Sequence, residues 1–246
     1  MTAFTRLAAL PRAPVLWRQS RRLRRDTPRL PDAALPWSGS RPGPDPVRLV
    51  VVGDSTAAGV GADTQDDALP GWFAVEIERR FARGTQYAAF GRNGATARDV
   101  VESHLGAATA QPFDLALLTI GANDALGLRS RTSFARDVAA IVARMREASP
   151  DATVLVSLLP RFDRFELLPQ PLRSTLGAHA MSLDAAARAA VERLDGVIAI
   201  PPPPPYVDGF FATDRFHPSR DGYRMWAEYV FDYADTVGFT LGDAPS

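Results

Sequence analysis

With 246 residues, 46% of them hydrophobic and 23% charged, the chain has the composition of a globular protein and the length for one large α/β domain. It has no cysteine, which excludes disulfides, thiolate nucleophiles and cysteine metal sites. The formal net charge is zero and all 28 basic residues are arginine; without lysine there is no Gly-Lys-Ser/Thr phosphate loop.

The neutral total hides an asymmetry. Residues 1–30 hold eight arginines (Arg6, Arg12, Arg18, Arg21, Arg22, Arg24, Arg25, Arg29) against the single acid Asp26, about +7, which leaves about −7 for the remainder. Leu7, Leu10, Val15, Leu16 and Trp17 form the apolar part of this leader, but Pro11, Arg12 and Pro14 interrupt it, whereas a signal peptide needs an unbroken apolar stretch of roughly 7–15 residues. The leader therefore reads as a poorly ordered tail packed against a cytoplasmic domain. Peripheral contact with an anionic membrane surface is the second reading and export the third. No segment approaches the ~20 apolar residues of a membrane span.

Residues 31–46 are rich in Pro, Gly and Ser and read as a linker into a domain spanning 47–240. Short apolar runs at Val47–Val52, Tyr87–Phe90, Leu115–Ile120, Val154–Leu159 and Val197–Ile200 have the pattern of buried parallel strands. Helical periodicity fills the intervals at about Leu69–Arg83, Ala97–Leu105, Phe134–Ala148 and Thr175–Leu194, and returns at Asp221–Val237. This alternation predicts a three-layer α/β/α sandwich on a mostly parallel five-stranded sheet. The proline run at 201–205 reads as a rigid turn after the last strand.

In such a sheet, ligands bind beyond the carboxyl ends of the strands. Four loops lie there: Gly53-Asp54-Ser55-Thr56, "GRNGAT" (91–96), "GAND" (121–124) and "DRFHPS" (214–219). Together they suit acyl transfer from an ester. Ser55 is the candidate nucleophile, and a serine hydroxyl needs an adjacent base. His217 is the candidate base, and Asp214, three residues earlier, can hold its ring. The Ser55 and Gly94 backbone N–H groups and the Asn123 amide can supply an oxyanion hole. Each loop alone has a plainer reading: Asn123-Asp124 as a helix cap, Asp-x-x-His-Pro as a helix-start turn. Their joint placement at strand ends is what points to catalysis.

The blocks carrying these residues resemble the SGNH, or GDSL-type, hydrolases, a family of esterases and lipases. "GDS" matches its first block with Ser55, "RNGAT" its second with Gly94, "GAND" its third with Gly121 and Asn123, and "DRFHPS" the block of Asp214 and His217. The resemblance spans about residues 46–237 and implies the flavodoxin-like fold of that family. Thr56 stands where the GDSL name has leucine. "GDSTAAGVG", the late "PLR" and "FHPSRDGYRMWA" are similar to bacterial members linked to lipid and N-acyl amino acid metabolism.

Other chemistries fit less well. Gly59-Val60-Gly61 is not followed by the third glycine of a dinucleotide fingerprint, and the G-x-S-x-G elbow is absent. Asp63, Asp66 and Asp67 precede a helix and read as caps; His104 and His179 lie within helical patterns and read as structural. No metal or other cofactor is expected, and no aromatic-interleaved basic patch points to nucleic acid. Leu126, Phe162, Phe165, Phe211 and Phe216 lie on or near the site loops and are the expected substrate pocket. They predict a small-molecule ester or thioester of a medium- to long-chain acyl group. The alternatives are a short-chain (acetyl) esterase, an acyltransferase using the same triad, and a non-catalytic lipid-binding module.

Overall fold

Strand β2 (Val47–Gly53) is buried at six of its seven positions, and both its faces are covered. Val50 and Val52 point into one core, and Val47, Leu49 and Val51 into the other, the alternation a two-sided strand must show. Around β2, the computed structural model describes residues 13–157, 159–202 and 206–242. The first twelve residues of the leader, Leu158 of the fourth expected strand and residues 203–205 of the proline run lie outside the described residues.

The sheet has six strands. β3 (Thr85–Gly91), β4 (Leu115–Thr119), β5 (Thr153–Ser157) and β6 (Val197–Ile200) run parallel to β2, in the order β3-β2-β4-β5-β6. The sixth strand, β1 (Ser38–Arg41), pairs antiparallel with the outer edge of β3. It corrects the expected count of five and the linker assignment of 31–46. Ser-Gly-Ser-Arg carries no apolar signal because a mostly exposed edge strand needs only its backbone to pair. Ala33 N–H to the Ala58 carbonyl (2.9 Å) and Ala89 N–H to the Trp37 carbonyl (2.8 Å) tie the same stretch to the body.

Helices cover both faces. α1 (Ala13–Asp26), the helical run α3 (97–108), α5 (Arg131–Ala148) and α6 (Leu172–Val191) contribute to the core on one side, with the short α4 (Ala122–Leu126) beside them. α2 (Leu69–Phe81) and α7 (Arg220–Thr236) close the other. α3 departs from the single regular helix expected at 97–105: Val100–His104 is a π turn between two short α segments. The leader, expected to be a poorly ordered tail, holds a helix over residues 13–26, which corrects that reading. α1 buries Leu16 in the core, and its Gln19 side chain both donates to the Gln170 carbonyl (2.7 Å) and accepts the Leu172 N–H (3.2 Å).

β2 is the topological switch point, with β3 on one side and β4 on the other. Gly53 is level with Gly91 and Thr119, so three loops leave the sheet together around the residue after Asp54. A Cβ at 53 would collide with the Thr119 carbonyl, so glycine is what lets the strand ends approach.

Candidate active site

Ser55 follows the end of β2 in a tight turn. Ala58 N–H bonds the Asp54 carbonyl (3.0 Å) and Val60 N–H the Ser55 carbonyl (3.0 Å), so the turn is fixed on both sides of the serine. Its Oγ lies 3.0 Å from His217 Nε2, and His217 Nδ1 lies 2.6 Å from Asp214 Oδ2. The three residues thus form one continuous chain across 162 positions of sequence.

The turn before α7 makes this possible. Asp214 Oδ1 accepts the N–H groups of Phe216 (2.9 Å) and His217 (3.0 Å), folding the loop back on its own carboxylate and leaving Oδ2 for the imidazole. Ala212 N–H to the His217 carbonyl (2.8 Å) and Ser219 N–H to the Phe210 carbonyl (2.8 Å) close the loop's base, and Ser219 caps α7. Burial alone would raise the Asp214 carboxyl. The hydrogen bonds from the His217 ring and from the two N–H groups outweigh it, and the carboxyl sits below the usual carboxylate range. It is therefore an anion beside Nδ1, which fixes the tautomer with the proton on Nδ1 and leaves Nε2 to accept from Ser55.

The other two loops leave the ends of the strands on either side of β2. Gly94 is held at φ +85°, a conformation that favours glycine. Asn123 donates one side-chain N–H to the Ala95 carbonyl at 2.9 Å, which places its amide beside the Gly94 peptide. Among the described residues the Ser55 and Gly94 N–H groups have no protein acceptor, and the second Asn123 N–H is likewise unspent. The same three groups are the ones expected from the sequence to serve as oxyanion donors.

Next to Ser55 and His217 opens a predominantly apolar cavity of about 60 Å³. Phe165, Phe211 and Phe216 of the expected pocket line it. Phe162 does not: it is fully buried, packing beneath Phe165 and Phe216 with ring centroids 5.2 and 6.1 Å away. Leu126 does not either, because α4 turns it against the core. Pro160, Tyr206, Phe210 and Trp226 complete the wall.

Two acids carry more of the site than the motif reading gave them. Asp54 lines the cavity at 3% exposure; burial pushes its carboxyl up to about 6, although Thr56 N–H and Oγ–H bonds oppose the rise. Asp124 is fully buried and caps the neighbouring α3, not its own helix, accepting the Ala97 N–H at 3.0 Å. Arg129 bridges Asp124 (2.8 Å) to Asp137 (2.7 Å), anchoring the Asn123 loop to α5. The three early aspartates are structural at two positions: Asp66 accepts the Tyr87 hydroxyl and Asp67 pairs with Arg220 at 2.7 Å. Among the described residues no group of three His, Asp or Glu side chains is placed to hold a metal.

Known proteins share this arrangement of chain. The sequence profile of the GDSL-like Lipase/Acylhydrolase family matches residues 51–225. The GDSL-like esterase Rv1075c of Mycobacterium tuberculosis is 28% identical over 195 residues, 76% of this chain and 62% of that protein, so the chain spans under two thirds of its relative's length. Among solved structures, the lipase Lip_vut3 from a goat rumen metagenome superposes with a TM-score of 0.63 at 15% identity, covering 81% of this chain and 100% of that one. A carbohydrate esterase family 2 enzyme of Corynascus thermopiles gives 0.60 at 13% identity, covering 80% and 68%. At these identities the structural likeness is one of fold.

Proposed function

The chain belongs to the GDSL-like lipase/acylhydrolase family, and from that premise we propose that it hydrolyses carboxylic esters through an acyl-Ser55 intermediate. The observation that carries the reading is the Ser55–His217–Asp214 chain at 3.0 and 2.6 Å, opening on an apolar cavity.

In the acylation step, His217 Nε2 takes the Ser55 hydroxyl proton as Oγ bonds the ester carbon, and the carbonyl π pair moves onto oxygen. The Asp214 carboxylate stabilises the imidazolium that forms. The Ser55, Gly94 and Asn123 N–H groups face the oxyanion, each worth about 3–4 kcal/mol of barrier. As the tetrahedral centre collapses, the C–O bond to the alcohol breaks and the alkoxide leaves with the proton from Nε2. Water then repeats the sequence: it yields a proton to His217, attacks the acyl carbon, and the Ser55 oxygen leaves and regains its proton.

The cavity supports a chain-length preference narrower than the loop composition suggests. A volume of about 60 Å³ is small beside the roughly 300–1,000 Å³ of typical ligand pockets, which supports a short acyl group over a long one. Aromatic rings end it: Phe165, Tyr206, Phe210 and Phe211 pack edge-on or tilted against one another with centroids 4.7–5.2 Å apart. Short to medium acyl groups are therefore the proposed substrates, below the medium-to-long range expected from sequence. The test is hydrolysis of p-nitrophenyl esters from acetyl to palmitoyl, wild type beside Ser55→Ala. Serine-dependent turnover peaking at or below about six carbons supports both parts. A peak at palmitoyl overturns the length assignment, and turnover that survives Ser55→Ala overturns the mechanism.

A further inference from the structure

We infer that the outer face of α1 is a docking surface for an anionic lipid bilayer. At 100° per residue, Leu16 and Leu23 share the face turned to the body, and Arg18, Arg21, Arg22 and Arg25 share the opposite one. Those arginines lie at the surface: the side chains of Arg22 and Arg25 are 81% and 76% exposed, and the two share a single acid, Asp26, at 3.4 and 2.8 Å, which leaves the face cationic. Among the described residues Arg18 has no ionic partner, and Arg21 lies 4.8 Å over the Trp17 ring.

Charge alone would suit any polyanion. What favours a bilayer is the apolar surface on the shoulders of the same helix. Trp17 is 60% exposed and Val15 48%, on a helix that has a body to bury them against. An indole beside a row of cations matches the headgroup level of a membrane, where an amphipathic ring is half solvated. The charge balance orients the contact: the leader carries about +7 and the remainder about −7, so an anionic surface attracts this face and repels the rest.

The helix transmits this contact to the body. Leu16 is buried in the same cluster as Phe165 and Leu172, and Gln19 is bonded to Gln170 and Leu172. The stretch from 160 to 172 also supplies Pro160 and Phe165 to the cavity. The docking face and the cavity wall therefore belong to one packed unit.

Co-sedimentation of the full chain with vesicles tests the inference. Wild type should bind phosphatidylglycerol–phosphatidylcholine vesicles, fail to bind pure phosphatidylcholine, and dissociate as salt is raised. Replacing Arg18, Arg21, Arg22 and Arg25 together by Gln should weaken partitioning on the order of 100-fold. Trp17→Ala should weaken it less and remove the vesicle-induced blue shift of the emission. All these positions are at the surface, so unchanged thermal midpoints show that the variants remain folded. Absence of wild-type binding to the anionic vesicles, or equal binding by the four-arginine variant, overturns the inference. So does tight binding to duplex DNA that displaces the vesicles while Trp17→Ala has no effect, which would make the face a nucleic-acid contact.

Discussion

The Asn123 side chain and the Ala95 carbonyl, 2.9 Å apart, join two loops that leave different strands. One N–H of the amide is used to hold the glycine loop, and the other is the one assigned to the oxyanion in the proposed mechanism. The bond ties the proposed side-chain donor at Asn123 to the loop of the proposed main-chain donor at Gly94. Behind it, Asp124 holds the first N–H of α3 and is itself held by Arg129. The loop carrying the proposed oxyanion donors is thus held by a buried carboxylate as well as by the amide, the kind of fixed support that preorganised donors need.

Asn123→Ala should lower kcat roughly 10²–10³-fold with little change in KM, since the lost donor acts on the transition state. It should also release the glycine loop and cost on the order of 1 kcal/mol of stability through the Ala95 bond. Steady-state kinetics on a soluble ester, with a denaturation curve alongside, reads both. A near-wild-type kcat would remove Asn123 from the oxyanion hole.

Asp214→Asn should be nearly as damaging as His217→Ala. The amide oxygen can still accept the Phe216 and His217 N–H groups, so the turn survives. Its NH2 then faces Nδ1, 2.6 Å away in the native contact, and donates to it. The ring proton moves to Nε2, which can no longer accept from Ser55, and kcat should fall about 10⁴-fold with the thermal midpoint nearly unchanged. A loss of activity matched by a loss of stability would instead make Asp214 a loop-folding residue.

Much of this was legible in the chain because it is written locally. Strand β2 announces itself by its uninterrupted apolar run, and the four loops carrying Ser55, Gly94, Asn123 and Asp214/His217 follow strand ends or the last connection. What was not legible depends on direction or distance. Leu126 and Phe162 lie near site residues in sequence, yet one faces the core and the other lies under the cavity wall. Trp226 reaches the cavity from α7, where its spacing reads as ordinary helix packing, and its indole N–H donates to Ser157 at 3.0 Å. Asp124 caps a helix 27 residues upstream, and no local cap pattern encodes that. β1 was invisible because an exposed edge has no hydrophobic period.

Asp54 makes a prediction about pH. Burial raises its carboxyl from 3.8 to about 6 in the folded protein. Between those values the folded state holds a proton that the unfolded chain has released, so stability falls as pH rises through this window. Above it the ionised buried carboxylate costs about 3 kcal/mol. Asp54→Asn keeps an acceptor for the Thr56 N–H and has no charge to bury. Its stability relative to wild type should therefore increase from pH 4 to pH 7 and then level off. Urea denaturation of both proteins across that range checks it, and a pH-independent difference would show that Asp54 is solvated or paired in the fold.

The proposed chain-length preference is tested at Phe211, which lines the cavity. Its ring packs on Phe165 (5.0 Å), Tyr206 (4.8 Å) and Phe210 (5.1 Å), and unlike Phe165 it is only partly buried. Truncating Phe165 would remove a core residue and confound length preference with unfolding. Phe211→Ala opens the cavity from its solvent side and should cost about 2–3 kcal/mol, less than a fully buried phenylalanine. The triad is untouched, so acetyl ester turnover should stay within a few-fold of wild type. The optimum should move to longer acyl chains, because carbons that met the ring now find space and apolar walls; about 0.8 kcal/mol of binding is gained per methylene buried. The measurement is kcat/KM across the p-nitrophenyl ester series for both proteins. If the whole profile drops in parallel, Phe211 supports the fold without touching the acyl group, and the pocket must run elsewhere along the cavity.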